Sequence, residues 1–153
     1  MAMASSDPTA ETTLYLKRIF AAPREKVFRV WTKPEEIRQW FAASDEYDTP
    51  IAEVDLRVGG KFRMGMKHLP KGTLHIATGV YKEIRPPEKL VFTWSWEGQP
   101  ESGETVVTIE FRDQGTSTEV IFTHELFPTA ALREQHMQGW NGCFDHLAKA
   151  LQT

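Results

Sequence analysis

The chain has 153 residues, 41% of them hydrophobic and 25% charged, and a formal net charge of −3; this is the makeup of an ordinary globular domain, one that buries roughly 68–70% of its unfolded surface. The charge is spread without a basic block, which excludes the clustered Lys and Arg that a nucleic-acid partner demands. A single cysteine, Cys143, excludes an internal disulfide framework. No run approaches eighteen apolar residues, so no membrane span is expected. The start has neither the basic nor the apolar stretch of a signal peptide, and a cytoplasmic protein is the expectation.

Residues 1–11 are small and polar and read as a flexible tail, with residues 12–153 as one domain. Thr13 to Phe20 alternates and stops at Ala21-Ala22-Pro23, a first strand. Pro23 suits the first turn of a helix, and Val27, Phe28 and Trp31 follow at helical spacing. Thr32-Lys33-Pro34 ends that helix and opens a second short one carrying Ile37, Trp40 and Phe41. The pair forms a V with Phe28, Trp31, Ile37 and Trp40 inside it.

From Tyr47 the period changes to two. Ile51 to Arg57 reads as a strand ending at the Gly59-Gly60 turn. Lys61 to His68 places Phe62, Met64, Met66 and His68 on one face. Thr73 to Ile84 is a long strand, followed by the rigid break Arg85-Pro86-Pro87-Glu88. Lys89 to Trp96 puts Leu90, Phe92, Trp94 and Trp96 on one face. Glu97 to Gly103 is a polar loop. Val107, Ile109 and Phe111 mark the next strand, and Val120 and Phe122 the one after. Short links imply antiparallel neighbours.

Thr129 to Leu151 is the long element. At about 100° per residue, Leu132, His136, Trp140, Cys143, Leu147 and Ala150/Leu151 share one stripe. Glu134, Gln138, Asn141, Asp145 and Lys149 take the other side. Thr129 is the expected N-cap. A helix with one apolar stripe and only strands before it lies on a sheet. Gly139 costs roughly 1 kcal/mol against Ala in mid-helix. It therefore marks a need for space, for a close-packed strand or for a bound molecule, and the close-packed strand is the preferred reading.

Several of these segments together resemble a known family. Val30-Trp31-Thr32-Lys33-Pro34-Glu35 with Trp40-Phe41, Asp55-Leu56-Arg57-Val58-Gly59-Gly60, Pro86-Pro87-Glu88-Lys89-Leu90 with Thr93-Trp94, Thr123-His124-Glu125 and Gly139-Trp140 occur in the order seen in the homologues of the heat-shock-protein ATPase activator. That family is a branch of the START/SRPBCC helix-grip superfamily, and the likeness runs from Thr13 to Leu151. It implies an α+β helix-grip fold: a curved antiparallel sheet of six or seven strands, two short helices after the first strand, and a long C-terminal helix over a cavity. The superfamily houses lipid carriers, allergen-type binders, polyketide cyclases and co-chaperone domains on one frame, so fold alone does not choose among functions.

The residues themselves favour a binding cavity. Trp40, Phe62, Met64, Met66, Trp94, Trp96, Phe122 and Trp140 supply apolar contact, His75 and His136 supply polar groups, and Cys143 gives an inert buried thiol. The expected ligand is a small, mostly apolar molecule, with no cofactor. Two other readings stay open. One is a cyclase- or hydrolase-type enzyme using His75 or His136 for proton transfer. The other is a co-chaperone-like interaction module with a chaperone partner. No catalytic set is assigned. Glu53, Asp55 and Glu97 read as solvated, and no metal site is expected because His124-Glu125 lacks a second histidine at helical spacing. Exposed sheet edges make a homodimer an expectation to test.

Overall fold

The structure is a computed structural model that describes residues 11–151; of the tail expected over residues 1–11, all but Glu11 lies outside the described residues. In chain order the elements are β1 (Leu14–Phe20), α1 (Arg24–Thr32), α2 (Pro34–Trp40), β2 (Tyr47–Val54), β3 (Lys61–His68), β4 (Leu74–Arg85), β5 (Lys89–Trp96), a 3-10 turn (Pro100–Ser102), β6 (Thr105–Asp113), β7 (Thr118–Glu125) and α3 (Ala130–Ala150). The strands make one seven-stranded antiparallel sheet in the order β1-β7-β6-β5-β4-β3-β2. The first strand therefore joins the last, and β1 and β2 are the edges.

The sheet curls into a half-barrel, and local features show where it bends. The register slips between Asp48 and Ile51 on β2 and between Tyr81 and Glu83 on β4; such irregularities kink a strand and raise its twist. At Gly79 the backbone of β5 comes so near that a Cβ would sit 1.8 Å from the Thr93 carbonyl oxygen. The same missing side chain lets the Phe62 ring lie across β4, with Cε2 2.6 Å from that vacant position.

β1 differs from the sequence reading by one residue at one end, β4 by one residue at each end, and β2 by more. β2 begins at Tyr47 and ends at Val54, not at Ile51 and Arg57. Pro50 is tolerated because β2 is an edge strand, where a missing N–H breaks no ladder. Asp55 to Gly60 forms a loop that turns back on itself: the Gly60 N–H donates to the Arg57 carbonyl at 2.8 Å. A side chain at Gly60 would meet the Asp55 carbonyl at 2.1 Å, and Gly59 has φ +86°, a conformation open to glycine at little cost.

One apolar core fills the concave face. The two short helices form the expected V: Trp40 Nε1–H donates to the Val30 carbonyl at 2.7 Å, and Phe28, Trp31, Ile37 and Trp40 are all buried. α3 is capped as its sequence predicts, with the Thr129 hydroxyl accepting from the Leu132 N–H at 3.1 Å. Its buried side chains are Trp140, Cys143, Phe144 and Leu147; Leu132 is only partly buried. The helix therefore packs tightly along its C-terminal half and stands further off the sheet along its N-terminal half.

Candidate functional site

Where the N-terminal half of α3 stands off, a cleft of about 530 Å³ opens between helix and sheet. That falls within the usual size of a small-molecule site, roughly 300–1,000 Å³. The strands reach it by their ends. On β3 the inward row runs from Met66 at the cleft through Met64 to Phe62 in the core, and on β5 from Trp96 through Trp94 to Phe92 and Leu90. His75 pairs with Met66 across β3 and β4 and shares the inward row with Ala77, Gly79 and Tyr81. From α3 come His136, Gly139, Trp140 and Cys143.

Seven of the eleven residues expected at the site thus meet around one space: Met66, His75, Trp94, Trp96, His136, Trp140 and Cys143. The other four do not line it. Trp40 is sealed against Trp31, ring centroids 4.5 Å apart, and is 1% exposed. Phe62 packs on Phe92 and Tyr81. Met64 is buried beside it. Phe122 lies beneath Trp140 at 4.7 Å and Phe144 at 5.4 Å. All four belong to the packed core beneath the cleft.

The sequence reading missed Phe41, Ala43 and Tyr47, which follow α2, Gln99 and Ser102 from the loop after β5, and Gln135 and Gln138 on α3. Gln138 was assigned to the solvent side of the helix. Because α3 stands off the sheet there, its polar flank turns to the cleft mouth. For the three residues after α2, the only signal was the end of that helix at Trp40.

The glycines sort differently from expectation. A Cβ at Gly139 would meet only the Ala43 Cβ, at 4.0 Å, so Gly139 faces space and the close-packed strand preferred for it is not there. The close approach belongs to Gly142, whose Cβ would sit 1.8 Å from the Ala43 carbonyl oxygen.

Two histidines set the electrostatics. His136 accepts from Trp96 Nε1–H on Nε2 at 2.8 Å. Its Nδ1–H then donates to the Leu132 carbonyl one turn back, also at 2.8 Å. His124 is wholly buried: Trp140 Nε1–H donates to its Nδ1 at 3.1 Å, leaving Nε2–H to donate to the Thr105 hydroxyl at 2.6 Å. The Thr105 hydroxyl in turn donates to the Trp94 carbonyl at 3.1 Å. Each imidazole needs one nitrogen bare to accept from an indole, so each is neutral, His136 protonated on Nδ1 and His124 on Nε2. Burial depresses both. It holds His124 well below the usual histidine range, helped by the neighbouring His136, and lowers His136 against the opposing pull of the Leu132 carbonyl.

The carboxylate candidates fall away from the cleft. Glu97 is clasped by Arg63 at 2.7 and 3.0 Å, and Arg63 alternates with the inward residues of β3. Asp55 and Glu53 are exposed and pair with Arg57 and Arg63. Burial pushes the Cys143 thiol up to about 12, so it is no nucleophile at neutral pH. Among the described residues, no group of three or more His, Cys, Asp and Glu side chains is arranged to hold a metal ion.

A curled antiparallel sheet gripping a long C-terminal helix, with an apolar cleft between them, defines the helix-grip class of the SRPBCC superfamily. The profile of one family in it, described as activator of Hsp90 ATPase homolog 1-like protein, matches residues 21–152, and the chain belongs to that family. Similar solved structures include a protein from Chromobacterium violaceum at 25% identity, TM-score 0.85, covering 93% of this chain and 98% of that one. Another, from Rhizobium leguminosarum, shares 28% identity with TM-score 0.79 and covers 92% and 93%. An AHSA1-like protein from Aeromonas hydrophila shares 25% identity with TM-score 0.78 and covers 92% of each. No curated protein matches the chain. No helix among the described residues is long and apolar enough to cross a membrane.

Proposed function

We propose that this protein binds a small, mostly apolar molecule in the cleft under α3 and acts by sequestering it. The observation that carries the reading is the wall itself: three indoles, Trp94, Trp96 and Trp140, beside about 530 Å³ of space. Their spacing supports a stable wall, with Trp94 5.1 Å from Trp140 and 5.5 Å from Trp96. Aromatic walls of this kind contribute most of the contact area in ligand sites, and a few polar groups fix orientation.

Proton transfer finds less support. A general base needs a nitrogen within reach of substrate, and His136 has both of its nitrogens engaged. An enzyme reading would rest on His75 alone. The co-chaperone reading rests on the family's name, and nothing in the cleft's chemistry adds to it.

The space beside Gly139 offers a clean test. A phenylalanine there has room at its Cβ and extends into the cleft. Gly139→Phe is expected to keep the fold by circular dichroism while Nile red, a neutral apolar dye, binds at least ~10-fold more weakly, the scale set by filling a site that would otherwise hold the ligand. Unchanged dye affinity in the folded variant would overturn the reading.

A further inference from the structure

We propose that the cleft selects an uncharged ligand whose apolar frame carries hydrogen-bonding oxygens, and that it rejects anions and cations of the same size. The proposal rests on the reading of the cleft as a small-molecule site, and it concerns which molecules that site admits.

The first observation is a lining without carboxylate, ammonium or guanidinium groups. Among the described residues, no Asp, Glu, Lys or Arg side chain borders the cleft. His136 is neutral by its bonding, since a second proton would set an N–H against the Trp96 N–H. The Cys143 thiol stays protonated. A carboxylate or ammonium entering here gives up water and meets no counter-charge, which is the costly way to bury an ion.

The second observation is polar capacity left unused. Ser102 is 8% exposed, borders the cleft, and its hydroxyl has no hydrogen-bond partner among the described residues. Gln99, Gln135 and Gln138, all exposed, border the same space, and their side-chain amides make no bond within the described protein either. They arrive from two sides. Gln99 and Ser102 come from the loop after β5, and Gln135 and Gln138 stand three apart on one face of α3, the spacing of helical neighbours. Amides and hydroxyls both donate and accept, so they satisfy carbonyl, ether and hydroxyl oxygens alike. A purely hydrocarbon ligand would cover Ser102 and leave its hydroxyl unsatisfied, which is where a buried polar group costs most.

Four probes of one shape separate the possibilities: 2-acetylnaphthalene, 2-ethylnaphthalene, 2-naphthoate and 2-naphthylmethylammonium, titrated calorimetrically at pH 7.5 into the full chain. The ketone is expected to bind about 10-fold tighter than each of the other three, the effect of roughly one well-made hydrogen bond. In the double variant Ser102→Ala, Gln135→Leu, its advantage over the ethyl compound is expected to fall towards parity, with circular dichroism reporting the fold. Charged probes binding as tightly as the ketone would overturn the proposal. So would an ethyl compound that matches the ketone, or a ketone advantage that survives the double variant in folded protein; in each case the small-molecule reading still stands. Binding of none of the four would overturn that reading and this proposal together.

Discussion

Two histidines, His124 buried and His136 half-buried, each hold an indole through the nitrogen that a proton would otherwise take. His124 joins Trp140 to Thr105, and Thr105 to the backbone at Trp94, so one imidazole fixes two walls of the cleft. His124→Leu removes the acceptor for the Trp140 N–H and the donor to Thr105. The variant is expected to lose about 1–3 kcal/mol, the cost of stranding buried polar groups, measured by urea unfolding. A loss below 0.5 kcal/mol, on the order of an ordinary surface change, would show that the chain of bonds does not hold the wall. His124 was legible in part. It stands two residues past Phe122 and four past Val120, so alternation already put it on the inward row. Its partners lie 19 and 16 residues away and left no trace in the local pattern. The same blindness mixed Trp40 and Phe122 with the cleft residues, because a sealed aromatic and a cleft aromatic obey the same period.

Among the elements, α3 carries the contrast between packing and space. Its cap and its stripe could be read directly, from Thr129 after Pro128 and from the spacing of Trp140, Cys143 and Leu147. How far it stands from the sheet could not, since that depends on the Phe41–Tyr47 segment passing beside it. Gly139 and Gly142 report the two regimes. Gly139→Ala is expected to stabilise the protein by about 0.5–1 kcal/mol, the helical preference for Ala with no clash to oppose it. Gly142→Ala must displace the Ala43 carbonyl and is expected to cost about 1–3 kcal/mol, as overpacking does. Thermal unfolding of both variants checks the pair, and equal shifts would refute the assignment. The loop after β5 was unreadable for a different reason. Gln99 and Ser102 sit in a segment without period, where composition says polar and nothing more.

For the whole molecule, two neutral imidazoles tie stability to pH. In the folded protein both take up a proton at lower pH than the usual histidine value of 6.5. Above that value neither state binds the proton and there is no effect. As the pH falls below it, the unfolded chain is protonated first, and stability is lost until the folded groups titrate too. Each contributes a slope of about 1.4 kcal/mol per pH unit at most. Urea unfolding from pH 7.5 to 5 is expected to show falling stability, with a shallower fall in His136→Gln, which still offers Trp96 an acceptor. An unaltered slope in that variant would remove His136 from the account. At this scale the sequence was most readable: order of elements, antiparallel pairing and a long helix lying on the sheet all follow from hydrophobic period and turn chemistry. The curl was less so, because it depends on register slips and on the contact at Gly79.

The placing of the tryptophans also gives the molecule a built-in optical signal. Of the five, Trp31 and Trp40 are sealed in the V of the short helices, and Trp94, Trp96 and Trp140 border the cleft. Trp96 is the one of the three that retains contact with water. A guest seated against Trp94, Trp96 and Trp140 is expected to change the emission of those three, and of Trp31 through Trp140, whose ring centroid lies 6.0 Å from its own. Occupancy can therefore be followed by the protein's own light, without a label and before the guest has been identified.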